Sequence, residues 1–178
     1  MTVMNDKPFT RHWVSAVALF LALLFDGTVT QILAIWSKSP AGPGVPQILL
    51  MMLIFVAIFV PDDNWIVWMA LVFGVLMDMY YTGIIGVNAL ILPLLTYLVR
   101  QLRPYVAHTS VVTWAIFIIA VAVQMFGEYA LLHFMGQTDV SLKLLVTQHL
   151  APSLTVNIIL FIILYFPCTR LLVKLTQR

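Results

Sequence analysis

Long apolar runs separated by short polar breaks organise the chain from end to end. A polar tail covers residues 1–12. The first run extends from Trp13 to Trp36 and predicts a helix over about 13–35. Three prolines and two glycines between Ser37 and Pro46 break it. A second helix is predicted over 46–60. Pro61-Asp62-Asp63-Asn64 reads as a tight turn whose Asp or Asn caps the helix that follows. The block from Trp65 to Val99 would rise about 52 Å as one helix, too far for a single crossing. Tyr80-Tyr81-Thr82-Gly83-Ile84-Ile85-Gly86 is its natural break, giving helices over 65–80 and 84–99, the latter containing Pro93. These short spans predict a shallow or re-entrant turn. Arg100 to Ser110 is a polar connection, and a fifth helix follows over 111–133. Between Gly136 and Gln148 the apolar Leu142, Leu145 and Val146 share a helical face with Leu150, as in a short helix lying in the membrane interface. The last helix covers 151–173, before a basic tail.

Composition turns these runs into membrane spans. Of 178 residues, 62% are hydrophobic and 9% charged, with a mean hydropathy of +1.04. About 20 apolar residues cross the hydrocarbon core, so the chain accommodates six spans. The reading is an all-α integral membrane protein, a compact bundle of six transmembrane helices forming one domain over residues 1–178. With six spans, Lys7, Arg11, Arg100, Arg103, Arg170, Lys174 and Arg178 fall on one side, and only Lys38 and Lys143 on the other. Cationic loops stay inside, so both termini are expected in the cytoplasm. The Lys7 and Arg11 run-up to an apolar segment resembles a signal peptide, but no small-residue cleavage site follows, and helix 1 is expected to be retained.

The polar residues inside these spans are the candidate site. A charge in an apolar span costs roughly 3 kcal/mol and therefore needs a partner or a purpose. At the helical rise, Asp26 and Asp78 lie about 20 Å, and Glu128 about 26 Å, from the cytoplasmic edge. Asn88 and Asn157 lie roughly 6–10 Å below the outer edge by the same rise. Gln124 sits one turn from Glu128 on the same face. The polar groups thus gather in the outer half of the bundle. They suit a solvated pocket open to the exterior, or a contact surface for another membrane protein. The plainer alternative is that each snorkels to water or caps a broken helix. Asp78 has the strongest individual case, because the glycine break after it frees backbone N–H groups that need acceptors. Gly74 shares its face, and Gly83 and Gly86 permit close backbone approach or positive φ.

Much chemistry is missing. No HExxH, GxSxG or P-loop pattern appears. A net charge of +2 without a basic patch gives no sign of nucleic-acid binding. One cysteine, Cys168, excludes an internal disulfide and reads as a packed apolar residue. His133 and His149 with Glu128 match no standard metal spacing. An ion-coupled carrier would use Asp26, Asp78 and Glu128, but no paired inverted halves are visible. No catalytic residue, metal or cofactor is expected.

Gly74-Val75-Leu76-Met77-Asp78, the Gly83/Gly86 break, Asn88-Ala89-Leu90 and Leu94-Leu95-Thr96-Tyr97-Leu98-Val99-Arg100 resemble the central signature of the rod shape-determining MreD family. Pro152-Ser153-Leu154-Thr155-Val156-Asn157, Pro167 and the basic tail are similar to its last helix, so the resemblance covers essentially the whole chain. It implies a non-enzymatic subunit of the bacterial cell-elongation machinery in the plasma membrane. The partners it implies are the single-span protein MreC and, through it, RodA, a class B penicillin-binding protein and MreB filaments. The family is also similar in architecture to the S-components of energy-coupling-factor vitamin transporters. A vitamin-binding S-component is therefore the competing expectation. Under either, Asp26, Gly74, Asp78, Gly83, Gly86, Asn88, Gln124, Glu128 and Asn157 are expected to line a partner surface or pocket.

Overall fold

A computed structural model of the chain describes residues 8–36, 44–60, 65–84, 86–107, 109–136 and 144–176. Among the described residues there are six α-helices: α1 Pro8–Trp36, α2 Ile48–Phe59, α3 Ile66–Met77, α4 Val87–Leu102, α5 Ser110–Phe134 and α6 Ala151–Thr176. No strand occurs among the described residues. Long β-branched and aliphatic runs become helices here because lipid offers no outside partner for a backbone N–H or C=O. The Pro61–Asn64 turn, Lys7, Lys38, Lys143, His108 and Arg178 lie outside the described residues, as does most of the segment after Gly136.

Among the described residues three helices have the length and apolar composition to cross a membrane: Trp13–Leu33 within α1, Ser110–Phe134, and Ala151–Leu172 within α6. The apolar stretches Ile48–Phe59 and Ile66–Tyr81 are shorter. α1 begins at Pro8, five residues before the expected start, because the polar tail residues simply continue the helix toward its end. α3 gives way at Asp78 to a single wide turn, Asp78–Thr82, closed by Gly83 N–H donating to the Asp78 carbonyl at 2.8 Å. α4 starts at Val87 rather than 84 and ends in a 3-10 turn, Arg103–Tyr105. The expected separate interfacial helix is, where described, another wide turn, Leu145–Leu150, running directly into α6.

α2 occupies the centre and touches α1, α3, α4, α5 and α6. It is apolar on every side, and ten of its twelve residues, Ile48 to Met51 and Leu53 to Ile58, are buried. A helix with no polar face belongs inside a bundle. Phe55 anchors it: its ring meets Phe161 and Tyr165 edge-on at 5.7 and 5.8 Å, and Phe117 stacks on Phe161 at 5.6 Å. Edge-to-face pairs of this kind add about 0.5–1.5 kcal/mol each beyond area burial.

Candidate functional site

At only twelve residues, α2 is too short to reach both membrane surfaces, so both of its ends need partners inside the bundle. Asp26, midway along α1, supplies the first end. Its Oδ1 accepts Ile48 N–H at 3.2 Å and its Oδ2 accepts Leu49 N–H at 3.3 Å. Asn157 from α6 completes the cap. Its Oδ1 accepts Gln47 N–H at 2.8 Å, while its Nδ2 donates to the carbonyls of Val45 and Ser153 at 2.9 and 2.8 Å. Ser153 Oγ accepts Val45 N–H at 2.9 Å. The residues entering α2 are thereby held by α6, and its first two residues by α1. At the opposite end, Arg103 Nε donates to the Ile58 carbonyl at 2.7 Å. An acid at the N-terminus and a cation at the C-terminus both complement the helix dipole.

The second cluster is built on the α3–α4 hairpin. The Asp78 carboxylate accepts Gly86 and Ala89 N–H on Oδ2, at 2.8 and 3.1 Å, and Asn88 N–H on Oδ1 at 2.9 Å. These are the orphan donors of the first turn of α4. Gly74, one turn before Asp78, explains the closeness. A Cβ there would fall 2.7 Å from the Asn88 carbonyl oxygen and 2.8 Å from Ala89 Cα. No side chain fits that approach, so glycine lets α4 begin against α3. Gly83 and Gly86 serve differently. Their φ values are +66° and +117°, and neither has an atom within 4 Å of an added Cβ. They turn the chain, and of the two sequence-level expectations it is positive φ that applies.

Asn88 continues the cluster into α5. Gln124 Nε2 donates to Asn88 Oδ1 and to Glu128 Oε1, both at 3.1 Å. Asn88 Nδ2 and Gln124 Oε1 are buried without a hydrogen-bond partner. Such groups each cost about 1–3 kcal/mol, so this triad is the least satisfied buried polar point among the described residues. Among the candidate polar residues, Glu128 alone has a partly exposed side chain, the others being buried.

The outer-half layer expected from sequence is therefore two clusters at the end where α2, α4 and α6 begin. Asp26 and Asn157 share the start of α2. Gly74, Asp78, Gly83, Gly86, Asn88, Gln124 and Glu128 share the start of α4. Asp26, Asp78 and Asn157 are spent on backbone groups. Sequence reasoning missed Ser153 and Arg103 as members. Ser153 was legible only as part of the Pro152–Asn157 stretch that carries the family resemblance, and Arg103 only as part of the charge bias. It also missed Tyr81, whose hydroxyl sits on Gly27 of α1 and donates to the Leu23 carbonyl at 3.4 Å.

Comparison with known proteins adds one finding. The model of the family described as rod shape-determining protein MreD matches residues 7–175. No curated protein and no solved structure matches the chain. The matched family is a shape-determining one, which leaves the vitamin-carrier expectation without support.

Proposed function

Because the chain belongs to the MreD family, and is on that ground a rod-shape-determining membrane protein, we propose that it is a non-enzymatic, multi-pass subunit of the bacterial plasma membrane that supports lateral peptidoglycan synthesis by binding MreC. RodA, the class B penicillin-binding protein and MreB are reached through MreC. The family match over nearly the whole chain carries this reading.

The geometry supports a scaffold. Two helix starts are pinned from other elements, α2 by Asp26 and Asn157 and α4 by Asp78. A bundle held this way presents a fixed face to a partner. Asp26, Gly74, Asp78, Gly83, Gly86, Asn88 and Asn157 shape that face from beneath. Gln124 and the partly exposed Glu128 bring polarity to its edge. Polar side chains meeting across helices in lipid contribute about 0.6–2 kcal/mol per contact, enough to favour one partner over others.

The test is affinity capture of MreC by the tagged full-length protein in a rod-shaped bacterium, paired with its depletion. The expectation is stoichiometric capture and rounding of depleted cells. Retention of rod shape together with no MreC in the eluate would overturn the proposal, as would a stoichiometric vitamin in native mass spectra.

A further inference from the structure

Three acids occur among the described residues, and their surroundings differ. Asp26 accepts two backbone N–H groups and Asp78 three, so a proton on either would disturb bonds that cap a helix. Glu128 meets side-chain amides instead. Gln124 Nε2 donates to its Oε1 at 3.1 Å, and the Asn88 side chain stands beside it. Glu128 is partly exposed, which gives a proton a route to it, whereas Asp26 and Asp78 are buried.

The amides beside Glu128 form a row that can run in either direction. Gln124 Nε2 donates both to Glu128 Oε1 and to Asn88 Oδ1, so a single atom faces both neighbours. An ionised carboxylate accepts and cannot donate. It therefore requires the Gln124 nitrogen on its side, and the Asn88 oxygen toward that nitrogen. A protonated carboxyl can donate. Half-turns of the two terminal amides then exchange nitrogen for oxygen, and Gln124 Oε1 accepts from Glu128 and from Asn88 Nδ2. The number of bonds is unchanged. In the observed row Asn88 Nδ2 and Gln124 Oε1 are buried without a partner. In the reversed row Asn88 Oδ1 and Gln124 Nε2 take that place. One proton is the main difference between the two arrangements.

The surroundings add one charge, that of Asp78 at the end of α3, which acts on Glu128 across the cluster. α2 carries no titratable residue, and neither does α4 from Val87 to Pro93 or α6 from Ala151 to Leu164. On α5 itself Tyr129 and His133 stack on each other at 5.7 Å, and His149 stands two residues before α6. We propose that Asn88, Gln124 and Glu128 form a proton-binding site in which one proton on Glu128 reverses both carboxamides. The row joins α4 to α5, so the proton decides which of their buried atoms stay unpaired. The inference rests on the geometry of these two helices and stands apart from MreC binding.

The experiment uses the full-length protein in neutral detergent, with isotope-labelled side-chain amides. Infrared difference spectra follow carboxylic C=O absorption as the pH is changed, and NMR follows the amide resonances of Asn88 and Gln124. One carboxylic band should titrate and be absent from Glu128→Gln, and both amide resonances should move with the same midpoint. Gln124→Leu removes the centre of the row. Its midpoint should move about tenfold in proton concentration, because a hydrogen bond to an ionised group is roughly twice as strong as one between neutral groups. Dicyclohexylcarbodiimide, which adds to protonated carboxyls in apolar surroundings, should label Glu128 and leave Asp26 and Asp78 unlabelled. The proposal is overturned if no titrating band is lost in Glu128→Gln, or if the band titrates while both amides stay unchanged. Labelling of Asp26 or Asp78 in place of Glu128 also overturns it, as does an unmoved midpoint in Gln124→Leu. The wild-type amide resonances and labelling decide the matter even where a variant folds poorly.

Discussion

Replacing Asp78 separates backbone capping from mere polarity. Its two oxygens accept three N–H groups, from Gly86, Asn88 and Ala89, at 2.8, 2.9 and 3.1 Å. Leucine has a similar size and accepts none of them. An unsatisfied buried donor costs about 1–3 kcal/mol. Asn88 is fully buried, whereas the bonds to Gly86 and Ala89 are partly exposed. Asp78→Leu should therefore cost about 3–6 kcal/mol, weighting the Asn88 donor most. Asparagine keeps one acceptor oxygen and turns an amino group toward the remaining donors, so Asp78→Asn should cost about half as much. Folded proteins hold only about 5–15 kcal/mol in total, so the leucine variant should stand near its unfolding limit. Unfolding of the purified protein in mixed micelles with increasing dodecyl sulfate measures the series. Hydrogen exchange at residues 86–89 reports the affected amides directly. The expected order is wild type, then Asp78→Asn, then Asp78→Leu, with exchange rising first at Asn88. A leucine variant that unfolds with the wild type, or amides 86–89 equally protected in both, would refute the capping argument.

Gly74→Val should destabilise by about 1–3 kcal/mol through overpacking, because its Cβ meets the backbone of Asn88 and Ala89; a thermal-shift assay should place it well below Gly83→Ala, which has open space and carries only a strained φ. Arg103→Met should lose about 1.5–3 kcal/mol by abandoning the Ile58 carbonyl, and exchange should rise at the end of α2 rather than at its start. Phe55→Ala should cost about 3–5 kcal/mol, since its ring is fully buried against Phe161 and Tyr165; a melting point within a degree of wild type would contradict the central placement of α2.

The helices were legible wherever a run was continuous and its breaks were chemical. Proline and glycine between Ser37 and Pro46, and Gly83 with Gly86, interrupt the apolar pattern, and α2 and α4 begin just after these breaks, at Ile48 and Val87. The ends shifted by a few residues, because a polar residue at a helix end can extend the helix into the interface at little cost. Asp78 as the acceptor for the freed N–H groups after the break was likewise readable, since donor and acceptor lie within eleven residues. Asp26 and Asn157 were readable only as polar groups at similar depth. Their partners lie 22 and 110 residues away, and nothing local in the chain names them.

By itself the sequence determined that this is a helical membrane protein, where its apolar runs break, and that its intramembrane polar residues gather toward one end. Those features follow from local chemistry: a backbone in lipid must satisfy its own hydrogen bonds, and a buried charge must find a donor. Tertiary structure alone decided which helix lies at the centre and which polar group caps which helix. It also divided the single polar layer into two clusters. The reason lies in the solvent. Lipid is as apolar as a protein core, so a span facing its neighbours and a span facing the membrane carry nearly the same residues. Only the packing distinguishes them.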